Sequence, residues 1–420
     1  MISRRDFSLA AASALGAAAM GPTASADSPR HHRKGRGRTV TVIRNVRLFD
    51  GERTTPRASV LIDGDRIAGL YSGHGHGYGY GRGHRHGYGH ADTADVVVDG
   101  SGKTLLPGLI DAHTHVDDGS LAQALRFGVT TELDMFCLPQ TLAAQRELAA
   151  ERDDVADIRS AGLLATAPGG HPSQLVPGVE FDTVAHPGEA EGFVADRVAE
   201  GADYLKIVID GGVQAGTPLP KLSPDTVAAL VHAGRAAGLR TIAHAITLRD
   251  VDVALDAGVD GLAHVYCDTG PQAARIARRI AARGVFVVST LAYFETVDLG
   301  AGNAVRAARD LRRAGVRLLA GTDATPARPA HGSAMHRELV LLTDAGFGNE
   351  EALAAATSVP ARRFGLTDRG RIAPGLRADL LLVHGDPTTD ITATRSIAGV
   401  WRGGVGLTAR EIGRGGGRRT

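Results

Sequence analysis

The chain has 420 residues, 43% of them hydrophobic and 22% charged, with a formal net charge of +1. That is ordinary globular composition, and the length suits one large α/β domain plus a smaller one. Basic clusters occur only at 30–38 and beyond residue 410, and aromatics make up just 4%, so a nucleic-acid surface is excluded for want of both charge and stacking platforms.

Residues 1–26 read as an address. Ser3-Arg4-Arg5-Asp6-Phe7 resembles a twin-arginine export signal, followed by an Ala-rich apolar stretch and by Ala24-Ser25-Ala26 as a small-residue cleavage pattern. The expectation is export by that route to the periplasm or the exterior. The apolar stretch is too short to span a bilayer, and no other segment reads as transmembrane. Residues 27–38 lack apolar content and read as a flexible basic arm. Cys137 and Cys267 are too few for a disulfide framework.

Structure is expected from residue 39. A β-rich run over 39–49 ends at Asp50-Gly51, 58–70 forms a hairpin turning at Asp63-Gly64, and 96–98 continues the sheet. Between them, 73–90 alternates glycine with His74, His76, His84, His86, His90, tyrosine and arginine. It reads as a disordered insertion in the hairpin, with metal capture as the alternative. These pieces make the first part of a small β domain, 39–103. From 104 to 365, short apolar runs alternate with helical segments. The strand candidates are 105–113, 129–135, 158–165, 204–209, 240–245, 261–265, 285–291 and 317–321. Helices are expected over 141–150, 224–237 and 273–283 among others, with Ser223-Pro224 as N-cap and first-turn proline. Eight β-then-α units predict a (β/α)8 TIM-type barrel; no glycine-rich dinucleotide fingerprint supports a doubly wound sheet instead. Residues 366–405 return to β structure and complete a small β-sandwich or sheet domain built from both chain ends. Residues 406–420 read as a disordered Gly/Arg tail.

In such a barrel the reactive groups sit at the C-terminal ends of the strands. His113 and His115 share one strand face at the first end. Lys206 lies inside the apolar fourth strand, His244 and His264 end the fifth and sixth, and Asp323 ends the eighth. The gaps leave room for three β/α units between His115 and Lys206, one each to His244 and His264, and two more to Asp323. Any one of these has a bland reading as a satisfied polar residue or a helix cap. Six of them on one barrel end do not.

The Pro-Gly-Leu-Ile-Asp-Ala-His-Thr-His opening resembles the amidohydrolase superfamily. So do the lone strand-end histidines, Gly-Thr-Asp-Ala on the last strand and the closing Arg-Ile-Ala-Pro-Gly-Leu-Arg-Ala-Asp-Leu. The resemblance covers nearly all of 40–405 and points to the imidazolonepropionase-related branch with Xaa-Arg and Xaa-Pro dipeptidases. It implies that His113, His115 and Asp323 hold one divalent metal ion, zinc first, and that His244 and His264 hold a second. Lys206 would bridge them as an N-carboxylated lysine, while some relatives leave the lysine unmodified and use one metal. It further implies a metal-activated hydroxide, with Asp323 as catalytic proton shuttle, hydrolysing an amide-type C–N bond in a dipeptide or N-acyl amino acid. Lactone, cyclic-amide or phosphoester hydrolysis and catalytically silent zinc sequestration are the alternatives. His171, Tyr204 and Tyr266 are candidate substrate contacts. The expected partner is a small molecule or dipeptide, with homo-oligomerisation left open.

Overall fold

The protein is described by a computed structural model covering residues 38–72, 77–79, 94–176, 178–213, 215–297 and 299–407. The expectations for 1–26, for nearly all of the basic arm, for the five histidines of 73–90 and for the tail from 408 lie outside the described residues.

Alternation of apolar and polar residues builds the outer sheet from both chain ends. Val40–Phe49, Thr54–Asp63 and Arg66–Ser72 form an antiparallel meander. It turns at Gly64, whose φ of 60° no β-branched residue would accept cheaply. Gly77–Gly79 adds to its edge, so part of the insertion expected to be disordered is strand. On the other side, Lys103–Pro107 pairs parallel with Val40–Phe49 and antiparallel with Leu380–His384, which pairs with Ile397–Arg402. Val405–Gly406 closes that edge, placing strand where the tail was expected to begin. Ile43, Val60, Ile62, Leu105, Leu380 and Trp401 form this sheet's own buried core.

Eight short parallel strands form two arcs. Leu109–Thr114, Val129–Asp134 and Asp157–Ser160 make one. Leu205–Val208, Thr241–His244, Gly261–Leu262, Phe286–Val288 and Leu318–Leu319 make the other. Isolated bridges Ala165–Ile207 and Thr114–Ala324 lie at the two seams between them. Helices separate the strands. Pro224–Ala236 is capped by the Ser223 hydroxyl, which accepts from the Thr226 amide at 3.1 Å, and Leu248–Ala257 stops at Gly258 in the left-handed region. Ala273–Ala282 buries Ile276, Ala277 and Ile280 on one stripe and leaves its arginines outward. Burying each such large side chain contributes about 1.5–3 kcal/mol. The result is an α/β fold with a mixed outer sheet. Among the described residues no helix is long and apolar enough to cross a membrane, and both cysteines are free and buried.

The expected strand over 105–113 is two strands. It breaks at Gly108, where an added Cβ would lie 2.3 Å from Thr130 Oγ1. No side chain fits, and the chain crosses there from the outer sheet into the first arc. The expected strand over 158–165 likewise pairs regularly only through Ser160 before Ala165 reaches Ile207.

Candidate active site

The ionisable groups gather where the parallel strands end. His113 lies in Leu109–Thr114 and His115 just past it, Lys206 in Leu205–Val208, and His244 ends Thr241–His244. His264 follows Gly261–Leu262, and Asp323 follows Leu318–Leu319. All are buried except His115, whose side chain is 24% exposed and marks the open side. Asp323 Oδ1 lies 3.3 Å from His113 Nε2 and 3.0 Å from His115 Nε2. The His264 ring centroid is 4.7 Å from that of His113 and 4.6 Å from that of His244. Ligand atoms of His113, His264 and Asp323 all lie within 4.8 Å of one another.

The rings are held by their other nitrogens. His113 Nδ1 is 3.0 Å from the Ala263 carbonyl, His115 Nδ1 3.3 Å from that of Phe136, and His264 Nδ1 2.9 Å from Thr290 Oγ1. The two carbonyls can only accept, so they fix Nδ1–H on His113 and His115 and leave Nε2 as the ligand atom, while the Thr290 hydroxyl, able to donate or accept, orients the His264 ring. The backbone is strained at the same place. Of three non-glycine residues with positive φ among the described residues, two are here: Thr290 at 48° and Asp323 at 54°. Asp111 anchors the latter. Its carboxyl accepts from the Thr322 hydroxyl at 2.6 Å and the Thr322 amide at 2.9 Å, and the Asp323 amide donates to the His113 carbonyl at 2.8 Å.

Burial holds His113, His244 and His264 well below the usual imidazole range, so they are neutral, as metal ligands must be. Burial also pushes the Lys206 amine down to about 7, against the pull of Asp323 and Asp134. Burial opposes ionisation of Asp323, but His113, His115 and His264 hold its carboxyl well below the usual carboxylate range. Among the described residues, the buried atoms Lys206 Nζ, His244 Nε2 and Asp210 Oδ2 at this edge have no hydrogen-bond partner. Unpaired buried donors and acceptors are costly. A divalent cation among imidazole nitrogens, a carboxylate and a neutral or carboxylated amine removes that cost, so these residues fit a metal ion.

His171 arrives at the same edge. It is buried, its ring centroid lies 5.2 Å from that of His244, and Gln174 Nε2 is 2.8 Å from its Nδ1. Tyr204 does not come with it. Tyr204 lies one pleat deeper than Lys206, packed edge-on to Phe364, and its hydroxyl donates to the carbonyls of Asp134 at 2.8 Å and Arg159 at 3.1 Å. Its polar atom is thus committed to backbone below the site, which corrects its reading as a substrate contact. Tyr266 is buried in the main core, and burial and the carboxylates of Asp310 and Asp268 raise it to about 12, with no site residue acting on it. Its hydroxyl is buried without a hydrogen-bond partner among the described residues, so its role as a substrate contact stays a proposal. The period-two rule places alternate residues on one face but does not say at which depth, nor that the strand continues past Leu262.

Sequence reasoning passed over Asp210, Thr290 and Asp111. Asp210 is 1% exposed, accepts from the Gly212 and Val213 amides at 2.9 Å, and turns Oδ2 to within 3.9 Å of His244 Nε2. Its signal was available: an acid closing the apolar run Ile207-Val208-Ile209 before two glycines.

Residues 104–406 match the amidohydrolase family. An imidazolonepropionase of Streptomyces griseus is 25% identical over 385 residues, covering 83% of this chain and 91% of its own. Among solved structures, a Xaa-Pro dipeptidase with bound methionine in the active site has a TM-score of 0.74 at 22% identity, covering 88% of this chain and 100% of its own. The A. niger ochratoxinase has a TM-score of 0.72 at 18% identity, covering 88% and 95%. At such identities the structural likenesses speak for the fold alone.

Proposed function

Because the chain belongs to the amidohydrolase family and is a hydrolase acting on C–N bonds, we propose that it cleaves the amide bond of a small substrate such as a dipeptide or N-acyl amino acid. The observation that carries this reading is the meeting of His113, His115, His264 and Asp323 beside the unpartnered Lys206 amine and His244 nitrogen. We read the two arcs as one (β/α)8 barrel, supported by the bridges at both seams.

His113, His115 and Asp323 would hold one divalent ion, zinc by the chemistry of its donors, and His244 and His264 a second, with Lys206 between them as an N-carboxylated ligand. Such an ion supplies an acidified water and a Lewis acid for the scissile carbonyl. Asp323, ionised at neutral pH, takes the proton of the attacking water on its carboxylate and returns it to the leaving nitrogen. The strained Asp323 backbone, pinned through Thr322 and Asp111, holds that carboxylate at the reacting edge. His171 lies near enough to His244 to contact the substrate and help exclude water. The twin-arginine motif supports export from the cytoplasm in this reading.

The test is metal quantification on the purified full chain, followed by a screen of dipeptides, N-acyl amino acids, lactones and phosphotriesters. Expected are stoichiometric metal and amine release from the first two classes. In Asp323→Asn the rate should fall about 10²–10⁴-fold, the usual contribution of a positioned proton-transfer group. Full activity in both His115→Ala and Asp323→Asn would sink the site assignment.

A further inference from the structure

The helix Ser333–Asp344 lies on the outside of the strand layer, yet it sends one acidic side chain fully inward. Glu338 is 0% exposed. Its Oε2 accepts from the Ala292 amide at 2.7 Å, and its Oε1 accepts from the Ser289 hydroxyl. Those two partners bracket Thr290, the β-branched residue held at φ 48° and ψ 35°. Left alone, a threonine would leave that left-handed region, because such a conformation is strained and persists only where its surroundings over-determine it. From this conformation the Thr290 hydroxyl reaches His264 Nδ1 at 2.9 Å. Ser289 is fixed on its other side, its amide donating to the Leu319 carbonyl at 2.9 Å. The bracket therefore runs from an outer helix, through a strained strand end, to one imidazole of the candidate centre. Burial pushes the Glu338 carboxyl up to about 7 against these hydrogen bonds, so an acid here costs stability that a leucine of similar size would not.

We propose that Glu338 is a positioning residue for the metal centre: it clamps Ser289 and Ala292, thereby holds Thr290 left-handed, and through the Thr290 hydroxyl fixes the ring orientation of His264. The inference rests on the proposed metal-binding role of His264. It assigns work to a residue that touches neither the ion nor the substrate and that follows His264 by 74 positions in the chain, meeting it only through folding.

The experiment measures zinc affinity of the purified full chain by competition with a chromophoric chelator, alongside the melting temperature. Glu338→Leu should weaken zinc binding about 10–100-fold, the range found when a partner of a metal-ligating histidine is removed. Glu338→Gln should restore affinity close to that of the unaltered chain. Its amide oxygen accepts from Ala292, its amide nitrogen donates to Ser289 Oγ, and the Ser289 hydroxyl turns to the Leu319 carbonyl 3.1 Å away. Thr290→Ala should show the loss and Thr290→Ser should not, which keeps the test decisive if Glu338→Leu fails to fold. Unaltered affinity in Thr290→Ala, or equal losses in Glu338→Gln and Glu338→Leu, would overturn the proposal. Unaltered affinity in His264→Ala would instead overturn the metal reading beneath it, and that control is scored separately.

Discussion

Lys206 is the residue whose chemistry is most constrained by its surroundings. Lys206 is 2% exposed, and its amine finds no hydrogen-bond partner among the described residues and is pushed down to about 7 by burial. A neutral amine is the form that adds carbon dioxide, losing a proton and becoming a carbamate with two acceptor oxygens. If that is its working state, Lys206→Ala should abolish turnover and leave a cavity that acetate or propionate refills. Partial recovery of rate with added propionate is the expected outcome; no recovery over a full concentration series would favour the unmodified amine. Tyr204, two residues earlier, makes the opposite prediction. With its hydroxyl spent on two backbone carbonyls, Tyr204→Phe should lose about 1 kcal/mol of stability, the net worth of a buried hydrogen bond, and keep kcat/KM unchanged. A drop in kcat/KM without a change in the unfolding midpoint would restore it as a substrate contact.

Elements set the depth and direction of these side chains. The helix Ser333–Asp344 serves two buried groups besides its apolar stripe, Glu338 toward the strand ends and His336 toward Ser120–Arg126. His336 Nε2 lies 3.0 Å from the Phe127 carbonyl just beyond that helix, and burial, aided by Arg395, lowers the imidazole to about 4. Its folded-state value therefore lies below the unfolded 6.5, so the unfolded chain binds the extra proton first. Stability from this site is fully present above about 6.5 and is lost as the pH falls toward 4. Urea midpoints recorded between pH 7 and pH 4 should fall more steeply for the unaltered chain than for His336→Gln. Parallel slopes would show that another group governs the acid limb. Gly108 works at the same scale, since its missing side chain lets one apolar run serve two sheets.

At the scale of the whole molecule, one acid ties the two layers together. Asp157 begins the third parallel strand and receives Arg377 Nη1 at 2.6 Å together with Arg369, while Arg402 of the outer sheet stands 3.5 Å away. Burial opposes its charge, yet the arginines hold its carboxyl well below the usual range. Asp157→Ala would remove the anion these guanidiniums share while leaving Arg369 with Asp368 and Arg377 with Asp379, at a cost above about 1 kcal/mol but below the about 3–5 kcal/mol of a wholly broken buried pair. Chemical denaturation should report that loss. A change under about 1 kcal/mol would mean that the junction rests on apolar packing and that the pairs are worth no more than surface ones.

Much of this protein was legible without coordinates because its signals are local and periodic. Apolar runs at β period, capped helices between them, and single ionisable residues at run ends place His113, His115, Lys206, His244, His264 and Asp323 at one edge from spacing alone. His171 also reaches that edge as its place after the third strand suggested. What spacing cannot carry is depth and the far side of a contact. Tyr204 sits one pleat below the site, because a strand's length and twist are decided by what packs on it. Asp111, Thr290 and Glu338 became visible only when burial and hydrogen-bond partners were in place. A buried carboxylate aimed at a backbone amide from another helix leaves no periodic trace. Its position is set by tertiary packing, where the cost of an unpaired polar group forces each one to meet its partner.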